Sequence, residues 1–263
     1  MIRNGLALSI LSIAAAFPSA WGEGRSSKLD CPAVNGLVSF CQLRATLLQP
    51  ESSFAVNNVN GNITVTTWSG PGISIRAEVE TAAESQALAE ELAGQVNVGT
   101  AAGSVTVKGP ATNSDERWSV QLEIEVPAAT GLTIADVNGD ITIHGVQSAI
   151  DFDTVNGNAS LHGVTGDVAG SVVNGSILIE VGGDRWAGQT LDIDTVNGSV
   201  EIEVPADCAT QVTASLAKGT FSTNFPVDIP TGAREISFEL GNAGGSAIRV
   251  ATSNGNIALR NVG

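Results

Sequence analysis

The amino-acid sequence predicts an all-β fold: a β-solenoid, or β-helix-like stack, of coils of about eighteen residues, with an N-terminal β region carrying one short helix. Three observations carry that prediction. Val-Asn-Gly occurs at Val59-Asn60-Gly61, Val137-Asn138-Gly139, Val155-Asn156-Gly157, Val173-Asn174-Gly175 and Val196-Asn197-Gly198, with Ser253-Asn254-Gly255 as a degraded sixth copy. Consecutive copies place Asn138, Asn156 and Asn174 at an interval of eighteen residues. Around each copy, apolar and polar residues alternate at matched distances from the asparagine. A unit this short cannot bury its apolar side chains alone and must stack on its neighbours.

Residues 1–22 read as a secretory signal peptide. Arg3 supplies the positive charge, Leu6 to Phe17 is apolar, and Ser19, Ala20 and Gly22 are the small residues around a cleavage site after Gly22 or, as second choice, after Ala20. The apolar run is too short to span a bilayer comfortably. Later apolar runs are broken within a few residues by Asn, Gly, Asp or Thr, so no transmembrane segment is expected in the mature chain. Leu29-Asp30-Cys31 puts Asp where a lipoprotein signal needs a small residue, which argues against a lipid anchor. Residues 23–53 read as an irregular leader. Export permits disulfides, and Cys31 with Cys41 is the expected pair, closing a small loop for about 2–3 kcal/mol. Cys208 is then a small buried hydrophobe beside Pro205 or, alternatively, the partner of one of the other two. There is no Cys-x-x-Cys to suggest zinc.

Residues 54–131 are expected to pack on the solenoid as strands and one helix. Phe54 to Val56, Ile63 to Thr66 and Ile73 to Val79 read as strands, separated by the Asn60-Gly61 turn and the break at Ser69 to Gly72. Thr81 and Glu84 read as a capping box for a helix over Ala82 to Ala93, with Leu88 and Leu92 on one face and Gly94 as its stop. Val96 to Val98, Ser104 to Val107 and Trp118 to Val126 are further strands, and Pro127 ends the last.

Residues 132–263 carry the coils and closing strands. Six and four residues before each Asn stand Leu132 and Ile134, Ile150 and Phe152, Val168 and Gly170, Leu191 and Ile193. Three and five residues after it stand Ile141 and Ile143, Ala159 and Leu161, Ile177 and Ile179, Val200 and Ile202. Thr, Ser, Asp, Glu and His lie between them, as a half-buried strand requires. Each coil thus supplies two strands joined at Val-Asn-Gly. The structural turn residues are Asn60, Gly61, Asn138, Gly139, Asn156, Gly157, Asn174, Gly175, Asn197, Gly198, Asn254 and Gly255. Glycine accepts positive φ there, and stacked Asn amides can hydrogen-bond up the column. Independent Asn-Gly hairpins are the alternative, but they need neither equal spacing nor matched flanks. The interval from Asn174 to Asn197 is longer, which predicts a bulging loop at 182–188 with Trp186 exposed at its tip. After Pro205 the strands at Gln211 to Leu216 and Arg234 to Leu240 are looser, and the last copy, Ile248 to Leu259, is expected to cover the open edge.

The strand ending in Trp68, the Ala/Glu-rich helix, Val126-Pro127, the Val-Asn-Gly-x-Ile coils, Glu203-Val204-Pro205, Gly219-Thr220-Phe221 and Asn254-Gly255-Asn256-Ile257 follow one another in a distinctive order. From about Phe54 to Arg260 the chain resembles a bacterial family of "putative adhesins", a domain of unknown function built of β-strand repeats. The resemblance implies a β-helical or β-solenoid fold, export, and no catalytic motif to carry over.

The formal charge is −15, or −16 once Arg3 leaves with the signal, and it repels nucleic acid and anionic lipid. No Asp-x-Asp-x-Asp-Gly, Gly-x-Ser-x-Gly or phosphate-binding loop occurs. His144, His162 and Glu180, each six residues after its Asn, should form one surface line. Two imidazoles and a carboxylate are a weak candidate for a transition metal; polar residues copied at an exposed strand position explain them as well. Asp153 and Asp194, in repeated Asp-x-Asp-Thr-Val-Asn-Gly segments, should lie about 10 Å apart, near the inverting-glycosidase range, yet no Arg, Lys or Tyr completes a site. Trp68, Trp118 and Trp186 read as strand-end or core aromatics. The sequence therefore predicts a non-enzymatic, exported β-repeat protein without cofactor, periplasmic, surface-displayed or secreted. It would bind a glycan, an envelope polymer or another surface protein; the alternatives are a polysaccharide-active enzyme using Asp153 and Asp194, or a periplasmic assembly or signalling module.

Overall fold

The computed structural model describes residues 25–29, 31, 33, 36–242 and 245–262; the expected signal peptide lies outside the described residues. The described residues are all-β with one short helix, and two long, mainly parallel sheets fit a β-solenoid. Strands β1 (Arg25–Leu29) and β2 (Val38–Leu48) precede β3 (Ser53–Asn57) and β4 (Ile63–Thr67), which flank the first Asn-Gly turn. An excursion follows: β5 (Ile73–Ala83), helix α1 (Gln86–Gln95), β6 (Asn97–Ala101), β7 (Ser104–Lys108) and β8 (Arg117–Val126). Four strand pairs then repeat the turn: β9 (Gly131–Asn138) with β10 (Ile141–His144), β11 (Ile150–Asn156) with β12 (Ala159–Val164), β13 (Val168–Asn174) with β14 (Ile177–Val181), and β15 (Thr190–Asn197) with β16 (Val200–Pro205). The chain ends with β17 (Thr210–Lys218), β18 (Phe221–Thr223), β19 (Glu235–Leu240), β20 (Ala247–Asn254) and β21 (Ile257–Val262).

One sheet has eleven strands in the order β1-β2-β5-β8-β4-β10-β12-β14-β16-β21-β18, the other ten in the order β19-β17-β20-β15-β13-β11-β9-β3-β7-β6. Each turn therefore passes the chain from one sheet to the other. Register is kept by like positions: Ile150 pairs with Leu132 and Val168, Asn156 with Asn138 and Asn174, and Ile143 with Leu161 and Val65. The facing columns, such as Leu132, Ile150 and Leu191 against Ile141, Ile177 and Val200, form a continuous hydrophobic core. Alternating large and small residues fill it, because a methyl built on Gly170 would meet the Phe152 ring at 2.3 Å.

The structure corrects four expectations. Residues 23–53 are not simply irregular, since β2 contributes eleven residues between β1 and β5. Helix α1 begins after Ser85, whose hydroxyl accepts from the Leu88 N–H. The capping box fails because Ala82 and Ala83 are spent on β5 pairing with β2 and β8, and the Thr81 hydroxyl donates to the Phe40 and Ala89 carbonyls. Leu88 is 43% exposed while Ala89, Leu92 and Ala93 are buried, and the helix continues through Gly94. Arg44 from β2 donates to the Val96 and Ala93 carbonyls at its C-terminal end, where cations are favoured.

The remaining two concern the closing strands and the long interval. The last repeat does not cover the edge: β20 and β21 are threaded between the β15–β16 coil and the β17–β18 coil, so Asn254 pairs with both Asn197 and Lys218. β19 and β18 form the edges instead. Trp186 is only 8% exposed, because its ring folds back over Gly188 and its indole N–H donates to the Gly166 carbonyl at 3.3 Å. Trp68 over Gly70 and Trp118 over Gly109 are held the same way, with indole bonds to the Gly72 and Pro110 carbonyls. The sulfurs of Cys31 and Cys41 are bonded, and Cys208 is free and buried.

Candidate functional site

The turn edge of the solenoid is a run of side-chain amides in register. Asn138 donates through Nδ2 to Asn60 Oδ1 at 2.9 Å, Asn156 to Asn138 at 2.9 Å, Asn174 to Asn156 at 3.0 Å, Asn197 to Asn174 at 2.9 Å and Asn254 to Asn197 at 2.8 Å. A second ladder lies two residues on. There Asn62, Asp140, Asn158, Ser176, Ser199 and Asn256 each accept a backbone N–H from the next coil. Between the two ladders stand the glycines. A Cβ on Gly157 or Gly175 would lie 1.9 Å from the carbonyl oxygen of the preceding turn glycine, and one on Gly198 1.8 Å away. Gly139, Gly198 and Gly255 are not among the positive-φ glycines. Close backbone approach, rather than φ, is thus the demand that all these turns share.

On the eleven-stranded sheet, His144 pairs with His162, and His162 with Glu180. The two rings stack 4.9 Å apart with planes 13° apart, and His162 Nδ1 meets Glu180 Oε2 at 2.7 Å. Stacked parallel rings do not aim their nitrogens at one point, as a tetrahedral metal requires. Among the described residues no three His, Cys, Asp or Glu are arranged to hold a metal ion. On the ten-stranded sheet Asp153, Ser171 and Asp194 occupy one column, and the Ser171 hydroxyl donates to Asp153 Oδ1. The two carboxylates are separated by a full intervening coil, and the hollow that Asp194 lines does not include Asp153.

Sequence reasoning missed Asp136. It stands two residues before its Asn, in the inward column of Thr154, Val172 and Thr195, and is 4% exposed. Oδ1 accepts the Val137 N–H at 2.8 Å, whereas Oδ2 is buried without a partner. Burial, above all, pushes its pKa up to about 6. Extending the period-two inward columns by one step would have found it.

Residues 38–260 match the Toastrack DUF4097 family. The chain belongs to that family. Among solved structures, similarity reaches a "putative cell adhesion protein" from Clostridium sporogenes at 10% identity and a TM-score of 0.46, over 84% of this chain and 100% of that one. It also reaches a "putative adhesin" from Bacteroides fragilis at 10% identity and a TM-score of 0.37, over 87% and 98% of the two chains. No curated protein is significantly similar. In this Toastrack chain the asparagine column is the most regular polar feature, and its contribution is measurable. Asn156→Ala removes two amide bonds and is expected to lower stability by about 1–2 kcal/mol, read as a shifted urea midpoint at constant slope.

Proposed function

We propose that the protein is an exported, non-enzymatic Toastrack module of the cell envelope that binds in the manner of an adhesin, through many weak contacts along a rigid face. One observation carries this reading. The outward columns of the eleven-stranded sheet repeat polar side chains in register, Thr64, Thr142 and Ser160 in one, with Leu178 interrupting it before Glu201, and His144, His162, Glu180 and Glu203 in the next. Rows repeated at about 4.8 Å suit a polymer that repeats as well, such as an envelope glycan. The stack of eighteen-residue coils is the unit that sets the spacing, and the apolar leader sequence and Cys31–Cys41 disulfide fit an oxidising, exported setting.

The test is retention of the mature protein on immobilised envelope polysaccharides, alongside its location in cell fractions. Thr142→Val and Ser160→Val keep strand-compatible side chains on the surface. Each is expected to weaken retention a few-fold, and together multiplicatively, as avidity requires. Retention unaffected by the double substitution, or a protein found wholly in the cytosol, would refute the reading.

A further inference from the structure

The opposite face is different chemistry. On the outside of the ten-stranded sheet, Val137, Val155, Val173 and Val196 precede the turn asparagines of successive coils and are 39, 41, 39 and 44% exposed. Single exposed valines need no explanation, but four in register make an apolar stripe about 14 Å long at about 4.8 Å per coil. Carboxylates border it on one side. Asp151 with Asp153 and Asp192 with Asp194 are exposed, and the coil between them offers Ala169 and Ser171. The two acidic pairs are therefore about 10 Å apart. From the coil of Asn138 to that of Asn254, Arg249 is the single cation in these columns.

Beyond Val196 the column shrinks to Ser253 and Ala217, and a hollow of about 320 Å³ opens, lined among others by Val173, Asp194, Val196, Ala251 and Ser253. Burial, and then the neighbouring charge of Asp192, hold the Asp194 carboxyl above its usual range. A carboxylate in that condition gains from an incoming cation. The hollow thus offers room for a large side chain with a charge to meet at its rim.

The spacing selects the partner's conformation. An α-helix laid along the solenoid axis offers apolar residues at i, i+4, i+7 and i+11, spanning about 16 Å, and flanking residues seven apart at about 10.5 Å. Both lengths lie within about 2 Å of the valine stripe and the aspartate pairs. An extended strand repeats its side chains every 6.6–6.8 Å or so, and falls out of step by the third coil. A second copy of this chain would set aspartate against aspartate.

We propose that this face docks a cationic amphipathic helix of another protein, with its apolar edge on Val137, Val155, Val173 and Val196 and its Lys or Arg side chains over the aspartates. The inference deepens the binding-module reading by giving the second face its own class of partner. The two fail separately: retention on envelope polymer tests the polar face alone.

The probe is a fluorescent helical peptide with Leu at i, i+4, i+7 and i+11 and Lys along the flank, its binding to the whole protein followed by anisotropy. An analogue with Glu in place of Lys is the control. The Lys peptide is expected to bind and to weaken as salt is raised. Asp153→Asn with Asp194→Asn is expected to cost about tenfold and to flatten the salt dependence. Val155→Thr with Val173→Thr, which keeps β-branching and the fold, is expected to cost about tenfold at any salt. Glu91→Gln, on the exposed side of helix α1, should leave peptide binding unchanged. Equal binding of the Glu analogue overturns the proposal, as does indifference to both double substitutions. So does a self-association in sedimentation that Val155→Thr with Val173→Thr dissolves, since the stripe would then belong to a second copy.

Discussion

Gly175→Ala is expected to lower the stability of the whole solenoid by about 4 kcal/mol. The new Cβ would lie 1.9 Å from the Gly157 carbonyl oxygen and 3.2 Å from a Val172 methyl. The obstacle is backbone, which no rotamer change can move aside. Relief requires the two coils to part at the turn. Parting stretches the Asn174 bond to Asn156 and the Gly157 N–H bond to the Asn174 carbonyl, so strain and lost hydrogen bonds add. Two other glycines separate this cause from backbone conformation. Gly163 has φ +65° and nothing within 4 Å of a built Cβ, so Gly163→Ala is expected to cost only the about 1–2 kcal/mol of the left-handed conformation. Gly94 is helical with open space around it, and Gly94→Ala is expected to stabilise by up to about 1 kcal/mol. Urea midpoints of the three variants rank the effects. If Gly163→Ala cost as much as Gly175→Ala, close approach would not be the reason for the turn glycines.

The all-β class and the repeat were legible because interval and alternation are one-dimensional signals that stacking turns directly into columns. Leu132, Ile150 and Leu191 could be placed in one inward line without knowing anything distant in sequence. What resisted reading depends on partners far along the chain. β2 carries Phe40 and Leu48 on one side and Cys41, Leu43 and Leu47 on the other, so no single face announces a strand, and its pairing with β5 is set by tertiary context. The helix start moved for the same reason: β5 took Thr81 to Ala83 before a capping box could form. The order of the last coils was hidden because Asn254 follows Lys218 in sequence but precedes it in the stack. At the candidate site, the interval placed His144, His162 and Glu180 in one column. It could not say that the rings would stack flat instead of converging.

Asp136→Asn is expected to stabilise the protein by about 2 kcal/mol at pH 7.5 and to leave it unchanged near pH 4. The column explains why a carboxylate is out of place there. Three of its other polar members are donors, Asn58 Nδ2 to the Gly61 carbonyl at 2.7 Å and the Thr195 and Thr252 hydroxyls to the Gly175 and Gly198 carbonyls at 3.3 and 3.1 Å, while the Thr154 hydroxyl is buried without a partner. Asp136 Oδ2 and the Gly61 carbonyl oxygen border the same niche, 2.6 and 2.2 Å from a point where a Gly139 Cβ would be. Asn58 Oδ1, in the neighbouring coil, is buried and unpartnered too. An ionised Asp136 brings only acceptors to these acceptors; a protonated one adds an O–H beside the Gly61 carbonyl, which has a second lone pair left after accepting from Asn58 Nδ2. Burial raises its pKa to about 6, against the backbone N–H groups of Val137 and Asn138, which lower it, and with repulsion from Asp140, which raises it. A carboxyl whose folded pKa lies above its unfolded value stabilises below the unfolded pKa and loses that contribution as pH rises through the folded one. The loss therefore falls between about pH 4 and pH 6.5; the full shift corresponds to about 3 kcal/mol, reduced to about 2 by solvent near the turn. The Asn amide supplies the donor without the charge. Urea unfolding of both proteins across that window gives the difference directly. A substitution that destabilises as much at pH 7.5 as at pH 4 would mean that the ionised carboxylate has a partner in the turn and that Asp136 is held there charged.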